Sequence, residues 1–153
     1  MEQRRVLQGG RSKAYRPLPV AARRRALTDG LDAYDRGDFF LAHELLEPAW
    51  MGTADMPERE LLQGLIKLAA AYVHAVRGNA AGVRKNLEGA RARLVGAVPA
   101  GPRAGLDPEA LVRAIDERLA GTIGIGDPPI SIERRRPARR PEARPERKGV
   151  RPG

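Results

Sequence analysis

The 153-residue sequence predicts an all-α fold, a compact bundle of five helices arranged as antiparallel hairpins over residues 20–126. Three observations carry this expectation. Apolar residues recur at helical spacing in five stretches, which Pro, Asp or Asn open and Gly closes. No stretch shows the apolar–polar alternation of a strand. Charge is also segregated: residues 1–25 carry +7 and residues 127–153 carry +5, whereas residues 26–126 carry −3. A slightly acidic, apolar-patterned middle therefore lies between two basic ends.

Taken in order, the first helix follows Pro19, places Leu27, Leu31 and Tyr34 on one face, and stops at Gly37. Asp38 is a good N-cap for a second, from Phe39 to about Met51, in which Pro48 should produce a kink or an end. Gly52-Thr53-Ala54-Asp55 reads as a turn. Pro57 suits the first turn of a third helix, Glu58 and Glu60 favour its positive end, and Gly78 stops it after Arg77. Asn79 opens a fourth helix with Val83, Leu87, Ala90, Leu94 and Val98 on one face; Pro99 to Gly105 is a loop. Asp107-Pro108-Glu109 opens the fifth, amphipathic through Leu111, Ile115 and Leu119 and closed by Gly121. A weak repeat at a spacing of 41 residues aligns Arg36-Gly37-Asp38 with Arg77-Gly78-Asn79 and Leu46-Glu47 with Leu87-Glu88, two hairpins built on one local plan.

The ends are of different composition. Residues 1–19, with Gly9-Gly10, Pro17 and Pro19, read as a flexible basic arm, and residues 127–153, with six prolines and eight arginines, as a disordered tail. Within that tail only Pro129-Ile130-Ser131-Ile132 is apolar enough to lie extended against the core. Arginine-rich ends allow weak, salt-sensitive contact with nucleic acid. They lack interleaved aromatics for base stacking, Tyr15 apart, and solvated tails are the plainer reading. The absence of cysteine excludes a disulfide framework, thiolate metal sites and a cysteine nucleophile. No charge-free apolar run approaches the ~18 residues of a membrane span, and no apolar stretch follows Met1-Glu2-Gln3-Arg4-Arg5, so a cytoplasmic protein is expected, with a protein partner or a second copy left open.

The polar residues of the two central helices form the candidate site. With about 100° per residue, Glu47 lies ~40° and Glu44 ~100° from His43 on the second helix, in an arc between Phe39 and Trp50 on an otherwise apolar surface. On the third helix Gln63, Lys67 and His74 fall within ~40° of one another, and both histidines of the chain belong to these two stripes. The stripes either face solvent, or close on each other as a hydrogen-bonded network, or converge on a ligand pocket. In the pocket reading His43, Glu44, Glu47, Trp50, Gln63, Lys67 and His74 are the binding residues. His43, Glu47 and His74 could then supply two imidazoles and a carboxylate to a divalent metal such as zinc or iron, although Lys67 would repel it. Catalysis has little support: Glu44 or Glu47 could act as a base, but no nucleophile is evident.

The run Arg36-Gly37-Asp38-Phe39-Phe40-x-Ala42-His43-Glu44-x-x-Glu47-x-x-Trp50, followed by Leu62-Gln63-Gly64-Leu65-Ile66 and His74, resembles a bacterial family called domain of unknown function 309 over about residues 26–121. The resemblance implies a compact all-helical protein with no established activity, with Phe40, His43, Glu44, Glu47, Trp50, Gln63, Gly64 and His74 matching its signature. Pro48 and Lys67 depart from it, standing where a helix former and a glutamine are usual. The first reading is a small helical binding or interaction module. A metal-dependent, hydrolase-like protein using His43, Glu47 and His74 is the alternative, and a nucleic-acid accessory protein acting through its basic tails is a second.

Overall fold

A computed structural model describes residues 16–135 and the backbone of residues 5–8 and 11–14. The domain is helical: α1 (Val20–Asp35), α2 (Phe39–Met51), α3 (Met56–Val76), α4 (Ala80–Val95), a 3₁₀ turn (Val98–Ala100), α5 (Gly101–Ala104) and α6 (Pro108–Ala120). Six helices thus replace the five anticipated among the described residues, the extra one being a single turn inside the expected Pro99–Gly105 loop. Val98, assigned above to the fourth helix's apolar face, lies beyond that helix and is exposed.

Local chemistry accounts for the boundaries. Asp38, Asp55, Asn79 and Asp107 each accept a hydrogen bond from the backbone N–H three residues on, at Leu41, Glu58, Gly82 and Ala110. α1 and α3 end in the same way. Gly37 (φ 80°) and Gly78 (φ 75°) take the left-handed conformation. Asp38 N–H then returns to the Ala33 carbonyl and Asn79 N–H to the His74 carbonyl, both at 2.9 Å, leaving Asp38 and Asn79 placed to cap the next helix. This shared stop-and-start unit is the structural content of the 41-residue repeat. α2 runs through Pro48 to Met51 without ending there. The Glu44 carbonyl loses the Pro48 donor, but Glu44 is exposed and water can replace it.

α1 packs on α2, α2 on α3, α3 on α4 and α4 on α6. The core gathers Leu46 and Trp50 of α2, Leu61, Leu65 and Leu68 of α3, Leu87 and Leu94 of α4, and Ile115 of α6, all buried. Two contacts depend on missing side chains. A Cβ on Gly30 would sit 2.7 Å from Leu46, and one on Gly64 would sit 2.7 Å from Leu94. Each leucine therefore fills a notch in the facing helix.

Both flanks extend the packed chain beyond 20–126. Arg16 and Leu18 donate backbone hydrogen bonds to the carbonyls of Met51 and Gly52 (3.2 and 3.3 Å). Upstream, Arg5–Gln8 and Arg11–Ala14 pair as an antiparallel hairpin, where a flexible arm without strands was anticipated. Gly9-Gly10, which separates the two strands in sequence, is a favoured hairpin composition. At the other end Ile130 and Ile132 are buried, each 3% exposed, so residues 127–135 are not an open tail. They form a strap whose Ile130 is held from both sides: Tyr34 Oη donates to its carbonyl (2.7 Å) and its N–H donates to Tyr72 Oη (2.9 Å). Tyr34, Phe39 and Tyr72 stack edge-on and tilted beneath it, with centroids 5.2–6.1 Å apart. The arginine-rich remainder, residues 136–153, and with it most of the nucleic-acid reading, lies outside the described residues. No helix among the described residues is long and apolar enough to cross a membrane.

The notch makes a stability prediction. Gly64→Ala should cost about 1–2 kcal/mol in urea unfolding, because overpacking against Leu94 (~1–3 kcal/mol) outweighs alanine's ~1 kcal/mol helix preference. Gly96→Ala, where the added methyl would meet only ordinary contacts at 3.5 Å, should stay within ~0.5 kcal/mol of the parent. Burial, with the neighbouring Tyr72 and Asp35, pushes the Tyr34 phenol above its ordinary value, and burial does the same to Tyr72. The unfolded chain therefore loses these protons first as pH rises through ~10, so stability is retained below that pH and lost above it. Thermal unfolding followed with phenolate absorbance should show a melting temperature falling above pH ~10 together with delayed ionisation; two phenols titrating normally in the folded state would contradict this.

Candidate functional site

The α3 stripe does not face the α2 stripe. Glu60, Lys67 and His74 recur every seventh residue on α3, and glycines recur at the same spacing opposite, Gly82 and Gly89 on α4 and Gly96 just past its end. The two series mesh. A Cβ on Gly82 would collide with the His74 ring at 2.5 Å, one on Gly89 would meet the Lys67 stem at 2.9 Å, and Gly96 lies against the Glu60 side chain. Each polar side chain of α3 thus lies across one of these glycines, where its stem covers bare backbone while its head stays near water. Arg93 of α4 pairs with Glu60 (3.2 Å), and Asn79 Nδ2 lies 3.2 Å from His74 Nδ1. Arg93 and the glycine series stand outside the polar stripes legible in the sequence, and Glu60 reads there only as a helix-start acid, although the seven-residue spacing shared by Glu60, Lys67, His74 and the glycines is visible in it.

The α2 residues occupy another part of the molecule. His43 Nδ1 lies 4.0 Å from Glu47 Oε2, one turn along the helix, both partly exposed. Trp50 is core, 2% exposed, with the Arg59 guanidinium 5.5 Å from its ring centroid. Gln63 is 5% exposed, and its Oε1 has no hydrogen-bond partner among the described residues. Phe40, part of the family-like signature, is 57% exposed beside Val73 and Val76.

The expected metal set is therefore corrected. His74 lies against Gly82 and Asn79, whereas His43 and Glu47 pair on α2, and no three His, Asp or Glu side chains among the described residues gather as a metal site would require. The structure does bring Glu44 and Glu47 together. With Pro48 and Met51 they form one wall of a cleft of about 570 Å³, and Arg16, Pro17 and Leu18 form the other. The close crossing that builds this cleft requires Gly52, where a Cβ would lie 2.7 Å from Leu18 Cβ and 2.8 Å from the Arg16 carbonyl oxygen.

Within the seam, Lys67 bears an electrostatic penalty. Partial burial, then the nearby Arg93 and Lys85 charges, hold its ammonium below the usual lysine value. Its charged form is disfavoured on folding, so the penalty is present at neutral pH and is relieved as pH rises toward ~10. Lys67→Met keeps the stem over Gly89 and removes the charge; it should raise the melting temperature by ~1–3 °C at pH 7, and by less near pH 10.

No curated protein and no solved structure matches this chain. Residues 27–86, a shorter span than the resemblance anticipated, match the family described as Domain of unknown function (DUF309). That span runs from the middle of α1 through α2 and α3 into α4, and so contains the His43–Glu47 pair, buried Trp50, the Gly64 notch and His74. Over that span, this chain is similar to the DUF309 family.

Proposed function

We propose that the domain is a small binding module whose ligand enters the cleft between the Arg16–Leu18 segment and the second half of α2. Two antiparallel hairpins, α1–α2 and α3–α4, are its frame: Glu60 meets Arg93, Gly64 meets Leu94 and His74 meets Gly82, so α4 runs back along α3. The carrying observation is the lining of the cleft. Glu44 and Glu47 stand one turn apart over an apolar floor of Pro17, Leu18, Pro48 and Met51, with Arg16 opposite. Among the described residues, the lining holds two carboxylates and one guanidinium. A ligand with a cationic nitrogen and a short apolar body satisfies both parts of this surface. His43, beside Glu47, orients that carboxylate, while Trp50, Gln63, Lys67 and His74 hold the frame instead of touching ligand.

Titrating ¹⁵N-labelled protein with n-hexylamine and, separately, with hexanoate tests this reading. The amine should shift the amides of Leu18, Glu44, Glu47 and Met51 at up to ~10 mM, and hexanoate should leave them in place. Glu44→Gln, at an exposed position, should weaken the amine ~10-fold with an unchanged melting temperature. Equal binding of both probes, or none of either, would refute the assignment.

A further inference from the structure

The strap is held as a bound peptide is held. Ile130 and Ile132 point inward and Ser131 between them is exposed, the alternation of an extended segment lying on a surface. Both backbone polar groups of Ile130 are taken up by phenols, Tyr34 donating and Tyr72 accepting, which is how a groove reads main chain irrespective of side chain. Two carboxylates then read the next residues: Asp35 pairs with Arg134 (2.8 Å), and Asp107 pairs with Arg135 (2.7 Å), whose N–H also donates to the Gly105 carbonyl (2.6 Å). The groove, built from α1, α3 and the Gly105–Asp107 turn, thus recognises Ile-x-Ile-x-Arg-Arg by two apolar sockets, one backbone clamp and two acidic sockets.

None of these recognition contacts involves the link from Gly121 to Pro129, nine residues with three glycines and two prolines. We propose that the groove accepts this same segment from a second copy of the chain, so that two molecules pair by exchanging straps. The groups that hold the strap belong to the helical body and are indifferent to which chain supplies it. Tethering favours the molecule's own strap, by an effective concentration in the ~mM range for a short link, together with the few contacts of that link, Ile123 on the core and Arg84 on the Gly121 carbonyl. Exchange is therefore a high-concentration state of the parent, and a molecule whose own strap is disabled can take up an intact strap only from another molecule.

Complementation of full-length chains tests the proposal. Ile130→Asp with Ile132→Asp disables the strap and keeps the groove; Asp35→Arg with Asp107→Arg disables the groove and keeps the strap. Each variant alone should be monomeric by light scattering, and the mixture should form a 1:1 heterodimer with a raised melting temperature. A fluorescent peptide of residues 127–137 should bind the strap-disabled chain saturably, and its Ile130→Asp form ~30-fold or more weakly. If both variants are folded by circular dichroism and neither heterodimer nor peptide binding appears, the proposal is wrong. If the strap-disabled chain does not fold, parent chains labelled separately with donor and acceptor decide: energy transfer after mixing at ~1 mM supports exchange, and its absence overturns it.

Discussion

The architecture depends on how closely α3 can approach its neighbours. α3 carries more of the core than any other helix, and it reaches α4 at a separation that absent Cβ atoms allow: Leu94 enters at Gly64, and the Lys67 and His74 side chains cross Gly89 and Gly82. Gly30 does the same for α1 and Leu46. Close-packed interiors tolerate little change of volume, so these notches set helix separation and register together. With the helices fixed in this way, the α2 surface, the Gly52 crossing and the strap groove follow as consequences.

The same constraint divides the family signature into parts with different tasks. Trp50 packs beneath Arg59, Gly64 is a notch, and His74 lies across Gly82. These residues keep helices in place. Glu44 and Glu47 face a cleft, His43 accompanies Glu47, and Phe40 stays exposed. A motif written as one line of sequence is thus split between scaffold and surface, because residues three and four apart on α2 share a face while those at intermediate offsets turn to other neighbours. Gln63 fits neither group neatly: it is buried on the framework helix with an unmatched oxygen, the kind of group that costs stability unless something satisfies it.

The strap adds a second organising element, drawn from a segment of unpromising composition. Its two isoleucines supply apolar area, but its position is set by buried phenols that would otherwise lack partners. Tyr34 and Tyr72 come from α1 and α3, so the strap ties these two helices together across the aromatic cluster. Asp35, the last residue of α1, is the partner of Arg134, ninety-nine residues away.

The sequence by itself determined the helices and their ends, because caps, prolines, positive-φ glycines and apolar periodicity act within a few residues of one another; Asp38, Asn79, Asp107, Gly37 and Gly78 do what their chemistry dictates. It also isolated the two polar stripes, and it marked Ile130 and Ile132 as the part of the C-terminal region able to pack. Only tertiary structure decided what those stripes face. A helical wheel gives direction about one axis and says nothing of which neighbour lies there, so a stripe that the wheel leaves open to solvent, to α2 or to a pocket meshes with glycines on α4. The cleft, the phenol clamp and the acidic sockets each join residues from distant parts of the chain. Their geometry arises from helix docking, for which local residue chemistry is a necessary condition and not a sufficient one.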